Sequence, residues 1–260
     1  MKLNEYRRKI RNRKILVFTS QLLLLFSLIF LWEILVNVGV LNEFIVSKPS
    51  AIYNLFLSYL KSNTLFDHIS ISVYEAIVGL ILGTGIGIIC AIILWWNKFI
   101  AKVLDPFLVV LNALPKTALA PIFIIWAGTG PKGIIVVAVS LSIVMTIMSA
   151  YSAFKSVDEE KVKMLQTYGA NKLTTFYKLV FPSSIPSLLN VLKINIGMSW
   201  VGVIVGEFIV SRRGIGYLVV YGGQVFRLDL VMMGVIILAI IALIMYLFVA
   251  GIEKLYKSKY

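Results

Sequence analysis

The 260-residue chain is 60% hydrophobic and only 14% charged, with a mean hydropathy of +0.93. A soluble domain carries about a quarter charged residues, so this composition excludes one and predicts an all-α polytopic membrane protein. The net charge of +13 does not imply a nucleic-acid partner, because the basic residues cluster at the ends of apolar runs, where they orient a membrane protein.

Residues 1–14 form a basic N-terminal segment, with Lys2, Arg7, Arg8, Lys9, Arg11, Arg13 and Lys14 against Glu5. The apolar run Ile15–Val36 is long enough to cross about 30 Å of hydrocarbon. A cleavable signal would have a shorter apolar core and a small-residue cleavage site. The run therefore reads as a retained helix with a cytoplasmic N-terminus and with Trp32 and Glu33 at its far interface. It belongs with an external segment in the stretch 15–68. There Pro49-Ser50 opens a short amphipathic helix with Ile52, Leu55, Phe56 and Leu60 on one face.

The membrane core is read over residues 69–252. Its first helix, the second span, covers Ser72–Trp96, where Gly79, Gly83 and Gly87 recur every four residues. Such a stripe lets two helix backbones approach closely, within the subunit or against a second copy, and the expectation is packing inside the subunit. His68 and Cys90 stand alone, so no disulfide, metal site or cofactor is predicted.

The third span is irregular. Asp105-Pro106 can start a helix, giving a short interfacial piece over Leu104–Leu114. A span broken at Pro115 and Pro121 then runs to Trp126. Non-regular backbone at membrane depth is tolerated only beside protein or a water-filled cavity, so Pro115 and Pro121 are candidate pathway lining; a kink needed for packing is the competing reading. Gly128-Thr-Gly-Pro-Lys-Gly133 lacks the P-loop spacing and reads as a tight external turn. With no P-loop in the chain, ATP would have to bind another subunit.

The fourth span is Gly133–Phe154. The polar interval from Ser156 to Pro186 then reads as two short helices. The first, Asp158–Tyr168, opens on Asp158, Glu159 and Glu160, which suit a helix N-terminus, and closes at Gly169. The second, Asn171–Val180, takes Asn171 as its N-cap and is stopped by Pro182 and Pro186. The fifth span covers Pro186–Gly206, with Lys193 near enough to the cytoplasm to snorkel. Gly197, Ser199, Gly202 and Gly206 give it a face for close contact, and Glu207 is assigned to an interface rim. Ser142 and Thr146 of the fourth span and Ser199 and Gly202 of the fifth are further candidate lining, with interhelical packing as the alternative. An external loop from Ser211 to Asp229, the sixth span Leu230–Ile252 and a cytoplasmic tail 253–260 complete the chain.

This topology puts 17 of the 25 Lys and Arg residues on the cytoplasmic side and 6 outside, with Lys116 and Lys193 unassigned. Inverting it would reverse a strong positive-inside bias. An ion-gradient-driven secondary transporter is the alternative class. Such proteins hold ionisable groups within their spans, whereas Glu33, Glu75, Lys193 and Glu207 all read as lying toward span ends. A membrane enzyme would need a cluster of acids, histidines or nucleophiles, and none is evident.

Several features in a fixed order carry a family resemblance. They are Pro49-Ser50, Asp105-Pro106, Leu114-Pro115, Ala120-Pro121, Trp126-x-Gly128-x-Gly130, Gly169-Ala170-Asn171 followed by Lys178-Leu-Val-Phe-Pro182 and Pro186, then Glu207 and Gly214-x-Gly216-Tyr217. The chain resembles permease subunits of binding-protein-dependent ABC importers, in the nitrate, sulfonate and taurine branch. The resemblance implies a type I importer (MetI-like) fold of six transmembrane helices in the bacterial cell membrane. It further implies a second copy of the chain, ABC ATPase subunits, and an extracytoplasmic protein that delivers a small solute: a sulfonate, taurine, nitrate or a compound such as a thiamine precursor. Asp158, Glu159, Glu160, Lys163, Leu165, Gly169, Ala170, Asn171 and Pro182 would then belong to the loop that couples to the ATPase. Arg212, Arg213, Gly214, Gly216 and Tyr217 would face the binding protein. The family's Glu-Ala-Ala falls on Lys163-Met164-Leu165, which reverses the acid's sign and enlarges both small residues.

Overall fold

The computed structural model describes residues 2–259. The side chains of residues 1–7, 9, 10, 14 and 258–260 lie outside the described residues, among them Lys2, Arg7, Lys9, Lys14 and Lys259 of the charge tally. Every regular element described is helical: α1 Lys2–Asn37, α2 Glu43–Val46, α3 Pro49–Lys61, α4 Thr64–Trp96, α5 Lys98–Ala113, α6 Ala120–Ala127, α7 Pro131–Lys155, α8 Glu159–Thr167, α9 Lys172–Thr175, α10 Phe181–Val210, α11 Ile215–Gln224 and α12 Leu228–Lys259. Among the described residues, five stretches are long and apolar enough to cross a membrane. A sixth exists if Lys98–Ala113 and Lys116–Ala127, bent by 83°, count as one broken span.

The chain forms two compact units, Met1–Asn63 with Tyr221–Met233, and Thr64–Val220 with Gly234–Tyr260. In the first, α1 leaves its apolar side chains from Ile15 to Leu31 largely exposed, as a lipid-facing helix must. Glu33 is more than an interfacial acid. Its carboxylate accepts from the Ser50 N–H (3.0 Å) and hydroxyl (2.8 Å), capping α3, whose own N-cap residue Lys48 offers the helix no side-chain cap. Pro49 and Ser50 do open α3 as expected, and Ile52 is its buried residue.

The core of the second unit is the packing of α4, α7 and α10. The glycine stripe of α4 lies against α7, inside the subunit: a Cβ on Gly79 would fall 2.7 Å from the Ala138 methyl, and one on Gly87 2.6 Å from Thr146. Ala76, Leu80, Ile134, Ala138, Ile196, Trp200 and Val203 fill one apolar layer, joined by Val249 of α12. A second layer is built from Ala91, Ala150, Phe154, Phe176, Val180 and Leu188. Between them sits a polar node of which the sequence reading singled out only Thr146. Asn195, fully buried, donates from Nδ2 to Thr84 Oγ1 (2.9 Å) and Thr146 Oγ1 (2.7 Å), tying all three helices together. Interhelical bonds of this kind contribute roughly 0.6–2 kcal/mol each in membranes.

Several expected boundaries move. The second span starts at Thr64, not Ser72. α5 begins at Lys98, where the Asn97 side chain accepts from Phe99 N–H (3.0 Å) and Ile100 N–H (3.2 Å), so Pro106 lies inside the helix instead of opening it. The expected loop Ser211–Asp229 contains a ten-residue helix, α11. The largest correction concerns Pro182 and Pro186, which do not stop a helix. From Lys172 the chain stays helical to Val210, passing through a π turn at Phe176–Val180. That turn, closed by Phe181 N–H on Phe176 O, takes up the register that Pro182 would break. Pro186 cannot donate to the carbonyl of Pro182, four residues back, and the Tyr256 hydroxyl of α12 donates to that oxygen instead (3.1 Å). Tyr256→Phe is therefore expected to cost about 1 kcal/mol, seen as a fall of roughly 2–4 °C in thermal midpoint. An unchanged midpoint would mean that this carbonyl needs no partner.

Candidate functional site at the hairpin and the glycine loop

The polar interval after α7 is a bent hairpin whose geometry follows from a few residues. Asp158 is the N-cap of α8, accepting from the Glu160 N–H at 2.9 Å, with Glu159 and Glu160 in the first turn. α8 ends in a Schellman motif: Ala170 N–H bonds Leu165 O (3.1 Å), and Gly169 N–H bonds Gln166 O (2.9 Å). This closure needs a left-handed residue, and Gly169 supplies it at φ +83. Asn171 then caps α9, its Oδ1 accepting from the Thr174 N–H at 2.7 Å. The hairpin is anchored at its return. Lys172 donates to the carbonyl of Trp96, the last residue of α4, and its ammonium lies 5.6 and 5.3 Å from the Trp95 and Trp96 rings. A cation at a helix C-terminus complements the dipole, and the indoles add cation–π attraction.

No residue of α8 is buried. Met164 (55% exposed), Tyr168 (82%), Leu173 (52%) and Tyr177 (66%) present apolar surface around Lys161 and Lys163. Apolar groups grouped on a structured, exposed hairpin mark a contact surface. Sequence reading had named Lys163, Leu165 and Gly169 there but missed Tyr168 and Tyr177, which no local pattern distinguishes from ordinary interfacial tyrosines.

The second site is the glycine loop before α11. Four successive N–H groups at this N-terminus find acceptors. Gly214 donates to His68 Nδ1 (3.0 Å), Ile215 to Ser72 Oγ (2.8 Å), and Gly216 and Tyr217 to Glu207 Oε2 (2.6 and 3.2 Å). The Ser72 hydroxyl in turn donates to Glu207 Oε1 at 2.5 Å. Glu207 is 1% exposed, so it is no rim residue: its buried carboxyl group closes the helix end. Glu75, also 1% exposed, hydrogen-bonds to it from α4. α4 begins well before Glu75, so Glu75 lies within its span instead of starting one, whereas Glu207 does stand near the end of α10. Gly214 sits at φ +112, and a Cβ on it would overlap the Glu207 carboxyl group.

Of the loop residues expected to face a partner, Arg212 and Arg213 are exposed and Tyr217 half-exposed, whereas Gly214 and Gly216 are buried on Glu207. Arg227, at the far end of this loop, is paired with Asp229 at 2.9 Å. The candidate pathway residues separate too. Pro115 and Pro121 are exposed at the 83° bend. Ser142, Thr146 and Ser199 are fully buried in the seam between helices, and Gly202 lies against the Ala138 backbone. Their hydroxyls bond to Ala138 O (3.2 Å), Ser142 O (2.7 Å) and Ala76 O (2.7 Å), so these four do not reach a surface of this chain.

Exposed apolar helices around a small-residue seam, a broken span and a structured polar hairpin define an integral membrane transport component. Residues 83–258 match the model of the binding-protein-dependent transport system inner membrane component, and the chain belongs to this family of ABC importer permeases. A Bacillus subtilis protein provisionally named aliphatic sulfonates transport permease SsuC is 27% identical over 95% of this chain and 90% of its own. The formylaminopyrimidine transport permease ThiX of Halalkalibacterium halodurans is 31% identical over 61% of this chain and 63% of its own. Among solved structures, an inward-facing MetNI methionine ABC transporter superposes with a TM-score of 0.63 at 13% identity, covering 77% of this chain and 97% of that one. This likeness establishes a MetI-type permease fold.

Proposed function

We propose that this chain is the membrane subunit of an ATP-driven importer that works as a pair of copies. A separate ATPase subunit receives α8, and an external binding protein delivers the solute. The family membership carries this reading, because the matched stretch includes both the hairpin and the glycine loop. The hairpin end is cytoplasmic, in keeping with the positive-inside bias. Asp158, Glu159, Glu160, Lys163 and Leu165 form the contacting helix, Gly169, Ala170 and Asn171 set its angle, and Pro182 belongs to the stem that joins it to α10. Arg212, Arg213 and Tyr217 meet the binding protein over the floor formed by Gly214 and Gly216. Pro115 and Pro121 border the pathway, whose walls are held together by Ser142, Thr146, Ser199 and Gly202. The solute is a sulfonate, taurine, nitrate or a related small organic compound such as a thiamine precursor; sulfonates and a formylaminopyrimidine occur in the names that the relatives carry.

The test is reconstitution in proteoliposomes with a cognate ATPase and binding protein. Uptake should require ATP and all three components, and the chain alone should hydrolyse nothing. Uptake driven by an ion gradient with no ATPase present would overturn the reading. The contact itself is tested by Lys163→Glu, expected to lower uptake about tenfold if Lys163 meets an acid of the ATPase, as a lost charge pair of about 1.4 kcal/mol would. The reverse change in that acid should restore it. If the paired variant transports no better than the worse single variant, Lys163 lies outside the contact.

A further inference from the structure

The two acids behind the glycine loop, Glu75 of α4 and Glu207 of α10, meet in a hydrogen bond and are each 1% exposed. Two carboxylates in contact repel, and burial removes the water that would screen them. No ion pair among the described residues includes either acid. The packed elements offer little else to balance them. α4 contributes His68, whose ring bonds Gly214 and stacks on Tyr217 of α11 at 6.1 Å, with Asp67 and Arg213 near that histidine. Tyr74 of α4 is exposed, as is Lys132, with which α7 reaches this end. α10 from Asn195 to Val210 and α12 from Gly234 to Met245 carry no ionisable side chain besides Glu207.

The donors around Glu207 decide where a proton has to be. Oε1 accepts from the Ser72 hydroxyl, which is itself oriented by accepting the Ile215 N–H. Oε2 accepts from the Gly216 and Tyr217 N–H groups. Both oxygens are thus turned to donors, as in an ionised carboxylate, which has no proton of its own to give. The hydrogen bond between the two acids then needs its proton on Glu75. A second observation agrees: Glu75 Oε2 is buried, and no donor reaches it among the described residues. On an ionised side chain that oxygen would be stranded at a cost. As a carboxylic acid, Glu75 has the Glu207 carboxylate as its acceptor.

We propose that Glu75 and Glu207 form a proton-binding site, in which one proton, carried by Glu75 and shared with Glu207, latches the glycine loop to α4 and α10. The proton gives α4 a donor where it meets the start of α11, so three helices close on one carboxylate. Its loss leaves two charges in contact, and Glu207 can leave that contact only by releasing the Gly216 and Tyr217 N–H groups. The loop that carries the exposed Arg212 and Arg213 therefore loosens as pH rises. A glutamate in the unfolded chain gives up its proton near about pH 4.3, so at neutral pH the folded chain keeps a proton that the unfolded chain has lost. The stabilising effect of the latch is complete below that pH and is lost as pH rises.

The experiment uses the full purified chain in detergent. Infrared spectra at neutral pH should show the carbonyl stretch of a protonated carboxylic acid, displaced when the glutamates carry a ¹³C carboxyl and absent from Glu75→Gln. Thermal unfolding is followed from about pH 6 to 9 for the parent and for Glu75→Gln, whose amide keeps a donor for Glu207 with no proton to lose. The parent's folding equilibrium should weaken relative to the variant by up to about tenfold per pH unit, the effect of one proton. Hydrogen exchange at Gly216 and Tyr217 should climb with pH more steeply than that of an open amide in the parent, and in parallel with it in Glu75→Gln. Repeating the unfolding in sodium, potassium and N-methylglucamine chlorides should change nothing. A parent with no acid band, pH profiles shared by parent and variant, or a midpoint raised only by sodium or potassium, as a bound metal cation would raise it, would each overturn the proposal. The labelled parent decides the matter even where Glu75→Gln fails to fold.

Discussion

Gly214→Val should destabilise the purified chain by about 3 kcal/mol or more, through a mechanism that other substitutions can isolate. Gly214 has φ +112, a region that a β-branched residue does not adopt without strain, and its missing side chain is the space filled by the Glu207 carboxylate. Valine therefore strains the backbone and displaces the acceptor of the Gly216 and Tyr217 N–H groups together. Glu207→Ala should approach the same loss without backbone strain, because each stranded N–H costs about 1–3 kcal/mol in a buried site. Glu207→Gln keeps a carbonyl acceptor and should recover much of it. The readout is thermal unfolding in detergent, where 3 kcal/mol corresponds to roughly 6–12 °C at this chain length. A Gly214→Val midpoint within experimental error of the parent would show that α11 does not depend on this cap.

The second large effect is on coupling, with little on stability. Gly169 stands at φ +83 with open space around it, so a side chain there clashes with nothing and acts only through the backbone. Valine disfavours the left-handed turn by about 1–3 kcal/mol and should open the Schellman closure that sets the angle of α8. In the reconstituted complex, Gly169→Val should lower uptake by tenfold or more while ATP hydrolysis continues. Asparagine tolerates the left-handed region, so Gly169→Asn should retain most of the uptake. Full uptake by Gly169→Val would separate the hairpin from the transport cycle.

These two glycines also mark how far the sequence could be read. Gly169 was legible because everything that explains it is local: an acidic helix start eleven residues earlier, a glycine closing the helix, and Asn171 opening the next one. The hairpin was found from those signals and from its family pattern. Gly214 was legible only as part of a loop motif. Its reason lies in Glu207, seven residues earlier along the chain, and in His68 and Ser72, more than 140 residues away, and no local rule joins them. For the same cause Glu207 was placed at a rim and Glu75 at a span end. Prolines misled in the opposite direction. Local rules end a helix at Pro182 and Pro186, yet a π turn and the Tyr256 hydroxyl from α12 supply what the rules assume to be missing.

Composition and local patterns by themselves determined the all-helical membrane class, the approximate spans and the bent hairpin. Each depends on hydrophobicity or on backbone preferences that neighbouring residues settle. Which polar groups are spent inside the bundle, and which stay open, was decided only by the tertiary structure. Ser142, Thr146 and Ser199, all buried, look in the sequence no different from the exposed Ser152 and Ser187, because a hydroxyl's role depends on the helix that happens to face it.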